Sequence, residues 1–317
     1  MTLRLAILWG VFCCRNAAAA LGTTRRHLQR AVGQRLARGL RFCPLPLLLA
    51  IARAGCALRL FGRGWRAQRA VATENIRSLT GQPPALPADW IALRRRLLEQ
   101  AATWGQHPAL RQQIQRCAAE LDRVVAPLHR ARQPVILAPL HTVSDVLAAM
   151  VGASVTPGKA SVVVSASAEH YPADVRALGG VQLAYCSIHQ QSDSLALRLA
   201  ALVGDVTAGE QNLIIFPDIT PDYTLQAEGA LAARLPCRLF GRAAHLHQGA
   251  VRLAGMMSAR VVVYHLWYEG GLHIRIHDPL AADQVADTLP TLIEQTLRAR
   301  PHEWLLWHSH SLFFIHH

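Results

Sequence analysis

From about residue 134 onward, short β-branched apolar runs alternate with segments of helical periodicity, and this alternation restricts the fold more than any other feature of the chain. Apolar runs occupy residues 134–139, 160–166, 181–187 and 212–216. Between them lie a helix from about residue 143, one near 173–178 and one over 193–208. A helix over 245–256, a strand pair over 260–268 and 272–276 about Glu269-Gly270-Gly271, and a helix over 281–300 complete the pattern. Strands that alternate with helices need crossover connections, so the expectation is an α/β fold: a mostly parallel, twisted sheet with helices on both faces and one late antiparallel hairpin. Upstream, residues 27–40, 66–79, 88–105 and 109–130 carry helical periodicity, and Pro83, Pro84 and Pro87 interrupt it before Asp89, which is placed to cap the third helix. The chain therefore divides into N-terminal basic and apolar membrane-associating helices over residues 1–65 and an α/β domain over 66–317 with a helical lead-in to about 133. There is no internal repeat.

Charge narrows the partners. Among 317 residues, 33 are Lys or Arg and 20 are Asp or Glu, a net charge of +13 that calls for something acidic: nucleic acid, anionic lipid headgroups or an acidic carrier protein. Arg35, Arg38, Arg41, Arg53, Arg59, Arg63, Arg66 and Arg69 are interleaved with Leu, Ala, Ile and Phe, and no helix-turn-helix or zinc-finger pattern accompanies them. That mixture disfavours nucleic acid and suits a membrane surface carrying anionic lipids. Residues 3–14, apolar apart from Arg4, are short for a span, and Arg15 before the alanine run argues against a cleaved signal. Residues 42–61 include Pro44, Pro46, Arg53 and Arg59, which suits an interfacial helix with snorkelling arginines or a buried helix. Seven scattered cysteines without paired spacing read as reduced thiols, and no metal or cofactor is expected.

The chemistry concentrates after the first apolar run, where His141 follows the strand and Asp145 comes four residues later. A histidine with an adjacent carboxylate is a general base with an orienting partner, and the carboxyl end of a strand is where open α/β sheets place their sites. Asp218, after the run ending in Phe216-Pro217, is a candidate positioning group, while turn chemistry accounts for Asp222. Ser144 as a hydrolase nucleophile is a poorer reading, because no glycine elbow exposes its hydroxyl. His308, His310, His316 and His317 lack an accompanying carboxylate or cysteine and read as structural or tail residues rather than a metal cluster.

Several blocks in order resemble the bacterial late lipid A acyltransferases (the lauroyl and myristoyl transferases) of the wider glycerol-phosphate acyltransferase-like superfamily. They are the helix around Arg69 to Ile76, the stretch from Ala138 to Asp145, Ile214-Ile215-Phe216-Pro217-Asp218, Pro236 to Ala244 with its Phe240-Gly241, and Pro301-His302-Glu303-Trp304-Leu305-Leu306-Trp307-His308. The resemblance covers the chain from about Gly39 to Phe313. It implies transfer of a fatty acyl group from an acyl carrier protein or coenzyme A thioester to a lipid hydroxyl, at the cytoplasmic face of a bacterial inner membrane. His141 is then the base and Asp145 its partner. Arg238 and Arg242 face phosphate or the acidic carrier, or else are solvated arginines beside a strand. Leu147, Met150 and Val151 line an acyl channel or pack in the core. Two places depart from the pattern. The family places four residues between its histidine and carboxylate, where this chain has three, and residues 165–174 carry no Arg followed by Asn-Pro. A different acceptor is expected, with Glu169 and His170 either its contacts or ordinary loop residues. The alternative is a membrane-associated lipid-binding or assembly protein of the same fold that has lost the chemistry.

Overall fold

The run Val135–Pro139 forms strand β1, and all five residues are buried, as an unbroken apolar run in the middle of a parallel sheet must be. The computed structural model describes residues 35, 38–61, 63–164, 181–187, 193–220 and 233–309. The apolar stretch 3–14, most of the expected helix 27–40, the helix 173–178, and Glu169, His170, Asp222, His310, His316 and His317 lie outside the described residues.

The helical lead-in comprises α1 (Leu45–Ala57), α2 (Arg66–Thr80), α3 (Ala88–Ala102) and α4 (Pro108–Arg130). After β1 come α5 (Asp145–Ala153), β2 (Lys159–Val164), β3 (Gln182–Ser187), α6 (Asp193–Thr207) and β4 (Asn212–Ile214). Then follow β5 (Arg234–Leu239), β6 (Arg242–His247), α7 (Gly249–Met257), β7 (Arg260–Tyr268), β8 (Leu272–Ile276) and α8 (Val285–Ala299). Six strands form one sheet in the order β3-β2-β4-β1-β7-β8, parallel throughout except for the β7–β8 pair. The expected mixed α/β architecture is therefore present, with its late hairpin at one edge.

Alternate residues of β1 enter two separate cores, because successive side chains of a strand point to opposite faces. Val135 and Leu137 join Leu49 of α1, Leu98 of α3, Leu121 of α4 and Leu147 of α5. Ile136 and Ala138 join Ile76 of α2, Val206 of α6, Ala254 of α7 and Leu289 of α8. Burial at about 25 cal/mol per Å² on both faces makes the sheet the frame on which the loops at its carboxyl edge are held. Leu147, Met150 and Val151, offered above as channel residues, are buried among the first of these cores, which is the packing alternative.

Two local expectations are corrected. Asp89 does not cap α3; Pro87 precedes the helix, and Asp89 sits in its first turn, where its carboxylate meets the Trp90 amide at 3.1 Å and Arg69 at 3.2 Å. Residues 245–247 are strand, and the helix expected over 245–256 begins only at Gly249. The reason is a period of two: Ala244 and Leu246 are buried while His245 and His247 are less so. A tight turn with Phe240 at φ 52° and Gly241 at φ 75° pairs β5 with β6 as a separate hairpin.

His265 of β7 is 7 % exposed, its Nδ1 lies 3.3 Å from Thr296 Oγ1, and its ring is 5.8 Å from that of His277. Burial, reinforced by the nearby His277, Arg275 and Arg300, pushes it down from 6.5 to about 4. As the pH falls below 6.5 the unfolded chain binds a proton that the folded chain refuses until about 4, so this group's contribution is lost across that window. The loss approaches about 3 kcal/mol. Urea unfolding across that window should show His265→Gln losing about that much less stability on acidification than the parent.

Candidate functional site

Parallel pairing of β1 with β4 brings His141 and Asp218 together. Leu137 is level with Ile214 in the register, His141 lies four residues beyond the first and Asp218 four beyond the second. Both loops leave the carboxyl edge of the sheet side by side. Asp218 Oδ1 accepts from His141 Nδ1 at 2.8 Å, and Oδ2 accepts from the His141 backbone amide, also at 2.8 Å. The indole Nε1 of Trp304 donates to the same Oδ2 at 2.8 Å. Three donors hold a carboxylate that has no solvent exposure, and the contact to Nδ1 fixes the plane of the imidazole. Phe216 packs on the ring of His141 with centroids 4.5 Å apart. With its proton on Nδ1, the neutral imidazole carries its lone pair on Nε2, the arrangement a general base requires.

Asp145 is not the partner of His141, which corrects the pairing expected from the four-residue separation. That expectation assumed helix from His141 onward. Instead, Val143 takes a left-handed conformation at φ 59°, and α5 starts only at Asp145. A β-branched residue there costs about 1–3 kcal/mol, so the surrounding contacts must hold it. Thr142 Oγ1 accepts from the Leu266 amide at 3.0 Å, and the Val143 amide donates to the Glu303 carbonyl at 3.1 Å. Ser144 caps α5 by accepting from the Leu147 amide at 3.2 Å and donates its hydroxyl to Glu99 Oε1 at 2.8 Å. Asp145 turns to Arg95, whose Nη2 lies 2.5 Å from its Oδ1, while Arg95 Nε donates to Glu99 at 2.8 Å. Burial raises the Glu99 carboxyl, Arg95 opposes that shift, and the neighbouring Asp145 adds to it.

The segment after α8 closes the other side. The Leu305 amide donates to the His141 carbonyl at 2.9 Å, and Thr142 and Trp304 form a bridge. Buried Arg94 of α3 forms a two-pronged ion pair with Glu303, which also accepts from the Tyr268 amide at 3.2 Å. Asn75 of α2 ties down the same segment by donating to the Trp307 carbonyl at 2.6 Å. Beside it lies a cavity of about 450 Å³ between α2, α3 and residues 302–308. Its walls mix apolar and aromatic side chains such as Ile76, Ile91, Trp304 and Trp307 with Arg95, Arg96, Glu99 and His308. Trp304 thus faces both the cavity and Asp218.

Arg238 and Arg242 are on the β5–β6 hairpin and exposed, with Arg238 Nη2 donating to the Gly241 carbonyl at 2.5 Å. Neither lines the cavity. Among the described residues, no three His, Cys, Asp or Glu side chains gather as a metal site would require. The residues that sequence reasoning did not assign to the site are Arg95, Glu99 and Trp304. Trp304 lies inside the C-terminal block already singled out, but nothing in the residue string ties it to Asp218. No protein-family model matches the chain, and no curated protein matches it.

Proposed function

We propose that this protein is an acyltransferase of the late lipid A acyltransferase type, moving a fatty acyl group from an acyl carrier protein or coenzyme A thioester to a hydroxyl of a membrane lipid, peripherally at the cytoplasmic face of a bacterial inner membrane. The observation that carries the reading is His141, held through Nδ1 by the buried Asp218; Trp304, which donates to that carboxylate, lines a cavity whose walls combine apolar and cationic side chains, although His141 itself does not line it. In the reaction, Nε2 of His141 takes the proton of the acceptor hydroxyl as its oxygen attacks the thioester carbonyl carbon. The negative charge of Asp218 stabilises the imidazolium. Collapse of the tetrahedral intermediate breaks the C–S bond, and the departing thiolate recovers the proton from Nε2. The apolar walls suit an acyl chain or a lipid tail, and Arg95, Arg96 and His308 suit an anionic group at its end.

Two rivals lose support. A serine hydrolase would need a free Ser144 hydroxyl, but Ser144 is fully buried and occupied as a helix cap and a donor to Glu99. The reading as a binding protein without catalysis was motivated by the His141–Asp145 spacing, and that spacing no longer matters once Asp218 orients the histidine.

Mass spectrometry of total lipids from cells carrying the intact gene, a deletion, or His141→Ala is the test. A species heavier by one acyl group should vanish equally in the deletion and in His141→Ala. Unchanged lipids in His141→Ala, with altered lipids in the deletion, would overturn the catalytic reading.

A further inference from the structure

We propose that the outward face of α1, with the short turns on either side of it, is a docking surface for an anionic lipid bilayer. Residues 1–73 contain thirteen arginines and no aspartate or glutamate; the first acidic residue of the chain is Glu74. The remaining 20 basic residues are matched by all 20 acidic ones, so the whole net charge of +13 belongs to this first quarter.

The same region carries most of the exposed large apolar side chains. Phe42, Leu47, Ile51, Leu58, Leu60 and Phe61 are 47–81 % exposed, and only Val71, Leu197 and Met256 match them elsewhere among the described residues. Helix α1 is apolar on two sides. Leu45, Leu49, Ala52 and Cys56 are buried in the core shared with α3, while Leu47, Ile51 and Leu58, at helical spacing, form the other side. Arg41 and Arg53 are exposed in the same stretch, with the Arg41 guanidinium 5.3 Å from the Phe42 ring.

Glu269, paired with Arg300, is the acid that shares a cavity with Arg53. An apolar stripe between guanidinium groups on a stretch of sequence without an acid has the two signals that peripheral membrane binding needs: side chains to enter the acyl boundary and cations to meet headgroups. Nucleic acid would leave the stripe in water. A second copy of the chain would bring thirteen uncompensated cations against another thirteen, with no acid in that stretch to neutralise any. The inference rests on the membrane half of the reading above and not on the acyl chemistry, and its readout needs no substrate. No described helix is long and apolar enough to cross a membrane.

The experiment is co-flotation of the full-length protein with phosphatidylcholine vesicles, with and without phosphatidylglycerol. The parent should float only with the anionic vesicles. Arg41→Gln/Arg53→Gln should weaken binding about 25-fold, from roughly fivefold per arginine near an anionic surface. Leu47→Gln/Ile51→Gln/Leu58→Gln should weaken it on the order of 100-fold. Every substituted side chain is exposed, so unchanged thermal unfolding verifies that both variants are folded. Equal flotation with neutral vesicles would overturn the anionic assignment. Parental flotation by both variants would overturn α1 as the surface, and a dimer that fails to float but is dissolved by the triple substitution would give the stripe to a second copy. If the vesicle result holds while the lipid profile is unaffected by His141→Ala, the acyl chemistry fails and the docking surface stands.

Discussion

Asp218→Asn is expected to lower kcat/KM for acyl transfer by about 10³–10⁴-fold, and Asp145→Asn by less than about tenfold. The asymmetry follows from what each carboxylate touches. Asp218 accepts the Nδ1 proton of His141 and so leaves the lone pair on Nε2. An asparagine presents a neutral amide that can turn its NH2 toward Nδ1, which favours the wrong tautomer and removes the charge that stabilises the imidazolium. The equivalent change in a Ser–His–Asp site costs about four orders of magnitude. Asp145 meets Arg95 instead, and both side chains are partly open to solvent, so neutralising it perturbs a screened ion pair. Steady-state consumption of the thioester with the lipid acceptor found by mass spectrometry is the measurement, and thermal unfolding controls for folding. A large loss in Asp145→Asn with near-parental Asp218→Asn would return the orienting role to Asp145.

Arg94→Met is expected to destabilise the fold by about 3–5 kcal/mol, more than any surface change. Arg94 and Glu303 are 3 % and 1 % exposed at their side chains, and the guanidinium and carboxylate meet through two contacts. Removing the arginine leaves the buried Glu303 side chain with the Tyr268 amide at 3.2 Å and His302 Nε2 at 3.7 Å, so most of the compensation for its desolvation is lost. Arg94→Met/Glu303→Met should recover much of the loss, because replacing both charges removes the stranded one; the Tyr268 amide that donates to Glu303 sets a floor on the recovery. Urea unfolding of the two singles and the double yields the coupling, expected at about 2 kcal/mol or more. Additive single losses would mean that the pair contributes nothing as a pair.

The sequence displayed the frame of this site better than its wiring. The strands over 260–268 and 272–276 have the ends expected of them, since β-branched and aromatic runs bounded by Glu269-Gly270-Gly271 carry their own punctuation. His141 was legible for a similar reason, as the first polar side chain with acid–base chemistry after an apolar strand. Its partner was not. Choosing Asp218 requires knowing that β4 lies beside β1, which is a property of strand order and not of any local pattern. The nearer carboxylate attracted the assignment because a separation of four is a helical neighbour, and a left-handed valine removed the helix that this needed. The β5–β6 hairpin was missed because its turn carries Phe240-Gly241 in place of an Asn-Gly or Asp-Gly signal.

The contacts of Glu303, Trp304 and Leu305 with the His141 turn have a consequence for the order in which the protein is made. These residues are translated after every strand of the sheet, yet they supply the carbonyl that meets Val143, the indole that meets Asp218 and the amide that meets the His141 carbonyl. A nascent chain on the ribosome can assemble the buried core around Val135 and Leu137 before it can brace the imidazole, whereas Trp304, Leu306 and Trp307 complete the other core in the same step. The bracing of the His141 turn therefore comes after the strands that position it have been made.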